Sequence, residues 1–249
     1  MMIYLAPIQG ITDRIYRNLY PVYFKGVDVA IAPFISSIRK INPDQRMLKD
    51  VFPVQYTGLP TIPQIMSSNP DDFIRLANHL HGIGYGTVNW NLGCPFRMVV
   101  KKGRGSGMLC YPDRIDAFLE KAMPELKPAL SIKLRLGTKY PDDILQLIPI
   151  FNRFELEELI IHPRTGEQMY DGAVDLDTFG QCLHLTKHRV VYNGDIDSAG
   201  KLEMLAGRFG SIDRWMIGRG ILENPFLPEE IKYHTEKPYA EKIRILRAF

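Results

Sequence analysis

Eight short apolar segments alternate with longer amphipathic ones, and this alternation limits the possible folds more than any other feature. The apolar segments are hydrophobic along their whole length, as are strands of a parallel sheet covered on both faces. The predicted strands are Ile3–Ala6, Val29–Ala32, Thr61–Ile65, Gly86–Asn91, Leu130–Arg135, Glu158–His162, Val190–Asn193 and Arg214–Gly218. The predicted helices are Asp13–Tyr23, Asp71–Leu80, Asp113–Lys121, Asp142–Phe151, Leu176–Leu185 and Ser198–Phe209.

Eight strand–helix units in 249 residues predict an α/β fold of the (β/α)8 type, a TIM barrel. A doubly wound open sheet is the alternative. The turn after the first strand, Pro7–Gly10, lacks the GxGxxG motif of dinucleotide-binding sheets, which favours the barrel. The segment from Pro33 to Pro60 is long and irregular, and we expect it to add elements over one barrel face.

Composition is that of an ordinary globular protein, with 45% hydrophobic and 24% charged residues. No apolar run is long enough to span a membrane, so no membrane partner is expected. The cysteines Cys94, Cys110 and Cys182 form no CxxC pair and no zinc-ligand spacing, which indicates a reducing, cytoplasmic compartment and no metal site. The formal net charge of +3 permits a nucleic-acid partner without requiring one.

The end of the chain differs in composition from the rest. From Ile231 to Phe249 it is charged, and a helical pattern covers Tyr239–Phe249. The apolar residues of this pattern, which would need a partner surface, are Ile243, Leu246 and Phe249. We therefore expect a catalytic barrel over residues 1–230 and the start of a truncated helical domain over residues 231–249.

Functional residues of a barrel collect at the carboxyl ends of its strands. The loops after the last two strands, Asn193–Asp195 and Gly218–Gly220, have the composition of a phosphate cradle, in which backbone N–H groups hold an anion. Two ordinary glycine turns are the alternative interpretation. In the fifth strand, Lys133 and Arg135 alternate with apolar residues, so both point to one side. A lysine in the barrel mouth needs an anion or an electron-rich carbonyl, unless it forms a structural ion pair.

Cys94 follows the fourth strand, between Gly93 and Pro95, in a turn that projects its thiol. A thiol of ordinary pKa is mostly protonated at neutral pH and can act as an acid, although a free cysteine can also be a small buried hydrophobe. Asn91, two residues earlier, could orient a planar, amide-like substrate. Cys110 and Cys182 have less distinctive surroundings, and we interpret both as structural.

A stretch rich in basic residues and glycine follows Cys94. Residues 99–108 and Arg97 are expected to form a flexible basic loop that could hold RNA or phosphate. A solvated loop is the alternative, because a glycine pattern without a preceding strand is not specific for nucleotides. The basic residues concerned are Arg97, Lys101, Lys102 and Arg104.

Six motifs follow one another in order over most of the chain. They are Leu5–Asp13, Asn91–Pro95 followed by Val99, Gly103 and Gly107, Ile132–Arg135, Ile161–Thr165, Asn193–Ile196 and Met216–Gly220. Together they resemble the tRNA-dihydrouridine synthases. The sequence Asn-Leu-Gly-Cys-Pro with the glycines that follow it is the most specific of these motifs, since the others are shared in part with other flavin barrels.

The resemblance implies FMN at the barrel mouth, with NADPH or NADH as the reductant and tRNA as the partner. Lys133 would face the N1/O2 side of the flavin, and the loops after the last two strands would hold its ribityl chain and phosphate. The residues assigned to the cofactor in this way are Pro7, Ile8, Gln9, Gln64, Lys133, His162, Asn193, Gly194, Asp195, Gly218 and Arg219.

The implied reaction is reduction of the C5–C6 double bond of a uridine in tRNA. Reduced FMN would give hydride to C6, and Cys94 would give a proton to C5 from the opposite face. The base must leave its stack to reach the flavin. Asn91 and Arg135 would hold the uracil, the four basic residues after Cys94 would contact phosphates, and residues 231–249 would begin a tRNA-binding helical domain.

Two other functions remain open at this point. One is a different FMN-dependent barrel oxidoreductase that acts on a free small molecule, like a dihydroorotate dehydrogenase or an ene-reductase. The other is an RNA- or flavin-binding module without turnover. A monomer is expected, although no residue pattern determines the oligomeric state.

Overall fold

The computed structural model describes residues 1–37, 48–52 and 58–249. The strands are β1 (Met2–Leu5), β2 (Val29–Ile31), β3 (Ile35–Ser36), β4 (Thr61–Ile62), β5 (Gln64–Met66), β6 (Thr87–Leu92), β7 (Ala129–Arg135), β8 (Glu158–His162), β9 (Val190–Tyr192) and β10 (Arg214–Ile217). The helices are α1 (Arg14–Tyr23), α2 (Pro70–Gly82), α3 (Arg97–Val100), α4 (Pro112–Ala122), α5 (Asp143–Phe151), α6 (Leu176–Leu185), α7 (Ala199–Arg208), α8 (Arg219–Glu223), α9 (Leu227–Tyr233) and α10 (Tyr239–Ala248).

The strands form one parallel sheet that closes on itself. Its order is β3-β5-β6-β7-β8-β9-β10-β1-β2-β4. β4 and β5 are separated only by Pro63, which has no N–H for the ladder. β2 pairs with β4 and β3 pairs with β5, so the two ends of the sheet meet. The predicted (β/α)8 barrel is therefore confirmed, and the open doubly wound sheet is wrong.

Alternation along the strands separates two packing layers. Outward-facing residues such as Val88, Trp90 and Leu92 of β6 pack against the surrounding helices. The Trp90 ring stacks on Phe118 of α4, with centroids 4.0 Å apart. A smaller apolar cluster lies inside the barrel and consists of Tyr4, Ala6, Ile31, Ile160, Val191 and Met216. The rest of the interior is polar, and it leads up to the mouth.

Side-chain caps begin several helices where the sequence predicts them. Asp13 accepts a hydrogen bond from the backbone N–H of Tyr16 at the start of α1, and Ser198 caps α7 in the same way. Asn69 caps α2, which begins with Pro70. These short polar side chains satisfy N–H groups that the first helical turn leaves without a partner.

The last helix packs against the barrel. The ring of Phe249 lies 4.9 Å from that of Phe24 and 5.6 Å from that of Tyr23, so α1 and its end supply the partner surface expected for Phe249. Lys242 pairs with Glu230 of α9 at 2.7 Å. The predicted boundary at residue 230 falls within α9, and the division into two domains stays a prediction.

The segment from Pro33 to Pro60 is described in part. It contains β3, and Leu48 and Val51 of this segment are buried in the core. Residues 38–47 and 53–57 lie outside the described residues, and so does that part of the prediction. Within the described ranges, no helix is both long and apolar enough to cross a membrane.

Candidate active site

The carboxyl ends of the strands surround a cavity of about 600 Å³. Most of the residues predicted from the sequence line it together. They are Pro7, Ile8, Gln9, Gln64, Asn91, Cys94, Lys133, Arg135, His162, Asn193, Gly194, Asp195, Gly218 and Arg219. The basic residues after Cys94 do not line the cavity: Arg97, Lys101 and Lys102 are exposed beside it, and Arg104 is half-buried.

Lys133 has an amine without a polar partner in the cavity wall among the described residues. Its Nζ makes no hydrogen bond or salt bridge to any residue in the described ranges, so the structural ion pair is not found there. Burial, together with the nearby positive charge of Arg135, lowers the pKa of Lys133 to about 7. An anionic or electron-rich ligand would restore the charged form.

His162 is a neutral hydrogen-bonding group on the same wall. Its Nε2 lies 3.2 Å from Nη1 of Arg164. A guanidinium can only donate, so Nε2 accepts and the ring proton resides on Nδ1. Burial, followed by the charges of Arg135 and Lys133, holds the pKa of His162 well below its ordinary value. His162 therefore offers an N–H donor that stays uncharged at neutral pH.

Asp195 organises two arginines between the last two strand ends. Its Oδ1 accepts hydrogen bonds from Nη1 of Arg164 at 3.0 Å and Nη2 of Arg219 at 2.9 Å, and its Oδ2 accepts from Arg164. Burial alone would raise the pKa of Asp195, but the bonds from Arg164 and Arg219 hold it below its ordinary value. Asp195 therefore holds the guanidinium groups of Arg164 and Arg219 in place. Because Asp195 is itself an acceptor, it would not bind an anion directly.

The loops after β9 and β10 touch each other closely. A Cβ on Gly220 would lie 2.1 Å from the carbonyl oxygen of Ile196, so only glycine allows this approach. The backbone N–H groups of Arg219 and Gly220 donate to no residue of the described chain, and they are available to an anion. The arrangement has the free donors that the predicted phosphate cradle requires.

Cys94 lies in a turn that is held from both sides. Its N–H donates to Oδ1 of Asn91 at 2.9 Å, and its carbonyl accepts from the N–H and the hydroxyl of Ser106 at 3.0 and 3.1 Å. The residue is 9% exposed and lines the cavity. Burial raises the pKa of the Cys94 thiol, although Arg135 and Lys133 oppose this, so the thiol keeps its proton at neutral pH.

The glycine-rich stretch after Cys94 is not the flexible loop that we expected. It contains α3 and a buried 3-10 helix, Gly105–Met108. Gly105 has a φ of +55°, and a Cβ there would lie 2.6 Å from the Cys94 carbonyl oxygen. The glycines allow the backbone to pack beneath the Cys94 turn, a role that spacing alone does not reveal.

Gly105→Ala is expected to destabilise the protein by about 1–3 kcal/mol, because the added methyl group meets backbone at a positive φ. Gly200→Ala in α7 is the matched control, since a Cβ there meets nothing within 4 Å and alanine favours helix. Urea unfolding of both variants measures the difference. Equal stabilities would show that the close packing under Cys94 has no energetic consequence.

Arg135 and Tyr170 also line the cavity. Arg135 donates from Nε to the Gly93 carbonyl at 3.0 Å and from Nη1 to that of Thr165 at 2.8 Å. The Tyr170 ring lies between two cations, 5.3 Å from the Arg135 guanidinium and 5.1 Å from that of Arg219. No role was assigned to Tyr170 from the sequence, because Tyr170 lies in an irregular loop. No role was assigned to Arg164 either, although Arg164 belongs to one of the six motifs.

The fold and the cavity define a barrel enzyme with a cation-rich mouth and a protonated thiol on its wall. Among the described residues, no group of acidic, histidine and cysteine side chains could hold a metal ion. A family model described as "Dihydrouridine synthase (Dus)" matches residues 4–248. The chain belongs to the dihydrouridine synthase family, which confirms the resemblance of its motifs and makes it an oxidoreductase of tRNA processing.

Curated relatives agree with this assignment. The chain is 29% identical to tRNA-dihydrouridine synthase B of Pasteurella multocida (strain Pm70) over 236 residues, which cover 94% of this chain and 70% of that protein. It is 27% identical to tRNA-dihydrouridine synthase B of Klebsiella pneumoniae over 252 residues, which cover 98% of this chain and 77% of that protein.

Solved structures agree on the barrel. Morphinone reductase in complex with tetrahydroNAD superposes with a TM-score of 0.62 at 12% identity, covering 96% of this chain and 89% of that one. The old yellow enzyme homologue from Zymomonas mobilis gives a TM-score of 0.60 at 12% identity, covering 96% and 91%. At this identity the likeness concerns the fold alone.

Proposed function

We propose that the protein reduces the C5–C6 double bond of a uridine in tRNA to 5,6-dihydrouridine, with FMN as its cofactor and NADPH or NADH as the reductant. When bound, the reduced flavin would supply hydride to C6 of the uracil. The observation that carries the proposal is that one cavity is lined both by Cys94, whose raised pKa keeps its thiol protonated, and by the Lys133 amine, which has no polar partner among the described residues.

The cavity fits a flavin mononucleotide in size and in chemistry. Its volume of about 600 Å³ lies within the range of roughly 300–1,000 Å³ typical of cofactor sites. Lys133 is positioned for a ring edge that becomes electron-rich on reduction. The free N–H groups of Arg219 and Gly220, with the Arg219 guanidinium, suit a terminal phosphate.

The remaining proposed cofactor residues surround this space. Pro7, Ile8 and Gln9 follow β1 and would line the ring, while Gln64 would contact its edge. The Nδ1–H of His162 is a neutral donor toward the cofactor. Asn193 donates to the Met216 carbonyl at 3.0 Å, which leaves its side-chain oxygen for a ribityl hydroxyl. Gly194 and Gly218 complete the two loops that would hold the chain and phosphate.

Cys94 would donate its proton to C5 of the uracil. The raised pKa keeps that proton on Sγ at neutral pH, and the bonds from Asn91 and Ser106 hold the turn in place. Both lone-pair directions of the Asn91 oxygen are used by backbone N–H groups, those of Gly93 and Cys94. One N–H of its amide remains for the uracil, and Arg135 lies beside it on the wall.

The substrate would approach over the basic surface after Cys94. Arg97, Lys101 and Lys102 are exposed outside the cavity, where they would contact phosphates, and Arg104 would assist from a half-buried position. We propose that residues 231–249 begin the helical tRNA-binding part. We also propose that the protein acts as a monomer in the cytoplasm.

Anaerobic reoxidation separates this proposal from the small-molecule alternative. The holoprotein is reduced with NADPH and mixed with unmodified tRNA, with free uridine or with an enone, while the flavin absorbance is followed. Rapid reoxidation by tRNA alone is expected. Reoxidation by the enone but not by tRNA would contradict the proposal and favour an ene-reductase, and a protein that takes up no flavin would contradict both.

A further inference from the structure

A continuous line of polar side chains runs through the barrel interior from its base to the Cys94 turn. We call these five residues, Glu158, Ser131, Asn89, Gln64 and Asn91, the interior polar chain. From the base upward, its hydrogen bonds are Ser131 Oγ to Glu158 Oε1 at 3.3 Å, Asn89 Nδ2 to Ser131 Oγ at 2.8 Å, Gln64 Nε2 to Asn89 Oδ1 at 2.8 Å and Asn91 Nδ2 to Gln64 Oε1 at 2.7 Å. At the top, Asn91 Oδ1 accepts from Gly93 and Cys94.

The direction of every bond in the interior polar chain agrees with an acceptor at its base and with backbone donors at its top. An ionised carboxylate can only accept, so the single hydroxyl proton of Ser131 points down to Glu158. The Ser131 oxygen must then accept from Asn89, whose carbonyl oxygen in turn faces the Gln64 amide nitrogen. The same logic turns the Asn91 oxygen toward the Cys94 turn.

The reverse orientation would break the top of the chain. With its amide turned over, Asn91 would present an NH2 group to the backbone N–H groups of Gly93 and Cys94, donor against donor. Gln64 and Asn89 are fully buried, and Asn91 is nearly so. Water therefore cannot easily replace the hydrogen bonds that a reversed amide would lose. A buried donor without an acceptor raises the free energy of the folded state.

The carboxyl group of Glu158 accepts hydrogen bonds from an arginine and a tyrosine at the closed end of the barrel. Arg214 donates to it at 3.1 Å and Tyr4 at 2.9 Å, and the residue is 1% exposed. Burial raises the pKa of Glu158, while the bonds from Tyr4 and the charge of Arg214 oppose that rise. Neither donor belongs to the interior polar chain, so these two bonds to Glu158 are independent of the amides above it.

We propose that Glu158 is a positioning residue for Cys94: by accepting at the base of the interior polar chain, its carboxyl group stabilises the direction in which the Asn91 oxygen faces the Cys94 turn. Glu158 touches neither the cavity nor the reacting atoms, and it acts only through Ser131 and the three amides. The proposal deepens the function proposed above and rests on the assigned role of Cys94.

Two variants that each remove one hydrogen bond to Glu158 test the proposal. Ser131→Ala interrupts the interior polar chain, whereas Tyr4→Phe removes a bond to the same carboxylate from outside it. In the FMN-loaded protein, the rate of Cys94 alkylation by iodoacetamide is measured by mass spectrometry, with the exposed Cys110 as internal reference. Dihydrouridine formation in unmodified tRNA is measured in parallel.

Ser131→Ala is expected to speed Cys94 alkylation several-fold, because the turn loosens, and to slow dihydrouridine formation about tenfold through misplacement of the thiol. Ser131→Thr, which keeps the hydroxyl, should return both rates toward those of the unchanged protein. Glu158→Gln replaces an acceptor at the base with a group that can also donate to Ser131, so it should weaken the interior polar chain and shift both rates in the same sense as Ser131→Ala.

A purely structural role for Glu158 predicts that Ser131→Ala and Tyr4→Phe behave alike. Equal alkylation of Cys94 in these two variants would therefore overturn the proposal. The alkylation assay needs no turnover of tRNA. A protein that forms no dihydrouridine, yet shows faster Cys94 alkylation in Ser131→Ala alone, would contradict the proposed function and still support the role of Glu158.

Discussion

Cys94→Ala is expected to lower the rate of dihydrouridine formation by about two to four orders of magnitude while leaving flavin binding intact, a loss typical of removing a general acid. The side chain lines the cavity but forms no side-chain hydrogen bond that supports the cradle loops, so its removal leaves the proposed cofactor contacts in place. The raised pKa of the thiol means that the proton, and not a thiolate, is what the alanine variant lacks at neutral pH.

The matched control is Cys110→Ala. Cys110 is exposed and does not line the cavity, and its thiol faces the Gly107 carbonyl at 3.8 Å. The flavin spectrum, the rate of flavin reduction by NADPH and the dihydrouridine content of treated tRNA are compared for both variants. Turnover of Cys94→Ala at the rate of Cys110→Ala would show that the proton comes from another group.

Lys133→Met is expected to have opposite effects on binding and on stability. Flavin affinity and flavin reduction should fall, because an amine that would become positively charged against the electron-rich edge of the ring is lost. The cofactor-free protein should become more stable at neutral pH, by on the order of 3 kcal/mol, because the unpartnered charge no longer has to be buried. Methionine is an uncharged, unbranched side chain that is one atom shorter than lysine and fills most of the same space.

The lowered pKa of Lys133 determines how the stability of the cofactor-free protein depends on pH. In the cofactor-free fold the pKa of Lys133 is about 7, against 10.5 for an ordinary lysine. Between these values the unfolded chain binds more protons than the folded one, so this residue makes stability rise with increasing pH. The free energy of unfolding is measured in urea at pH 7 and pH 9 for both proteins. It should rise more between these two pH values in the unchanged protein than in Lys133→Met.

Two results would contradict this account of Lys133. The first is an equal pH dependence of stability in the two proteins, which would mean that the lysine has a partner in solution. The second is unchanged flavin affinity in Lys133→Met. Arg189→Met is a suitable control, because Arg189 pairs with Glu157 at 3.0 Å on the surface, where a salt bridge contributes little to stability.

The barrel and most of its cavity could be predicted because they depend on local patterns. Apolar strands alternating with capped helices specify the parallel barrel, and alternation within β7 places Lys133 and Arg135 inside it. Parallel strands end at the same face, so residues far apart in sequence, such as Cys94 and Asp195, meet at one cavity.

The features that sequence reasoning missed depend on contacts between distant segments. The burial of Gly105 beneath Cys94 follows from how α3 folds back, which a glycine pattern does not specify. The position of Tyr170 between two arginines is set by an irregular loop. The sequence identified Arg164 only as a member of a motif. Its ion pair with Asp195 depends on how the loops after β8 and β9 are arranged in the folded barrel.

The interior polar chain also could not be predicted from the sequence. In the sequence, Asn89 and Ser131 are single polar residues in apolar strands, and Gln64 is assigned only to the cofactor, through the family resemblance. Their connection depends on the pairing of β5 with β6 and of β6 with β7, which places Gln64 opposite Asn89 and Asn89 opposite Ser131. Register between strands is a tertiary property, so the link from Glu158 to the Cys94 turn appears only in the folded barrel.

Mass spectrometry of tRNA from cells that lack this gene tests the proposed function most directly. We predict that one defined uridine loses the mass of two hydrogens relative to tRNA from unaltered cells. The intact gene should restore that mass, and a gene encoding Cys94→Ala should not. Identical dihydrouridine content with and without the gene would contradict the proposal that this barrel reduces uridine in tRNA.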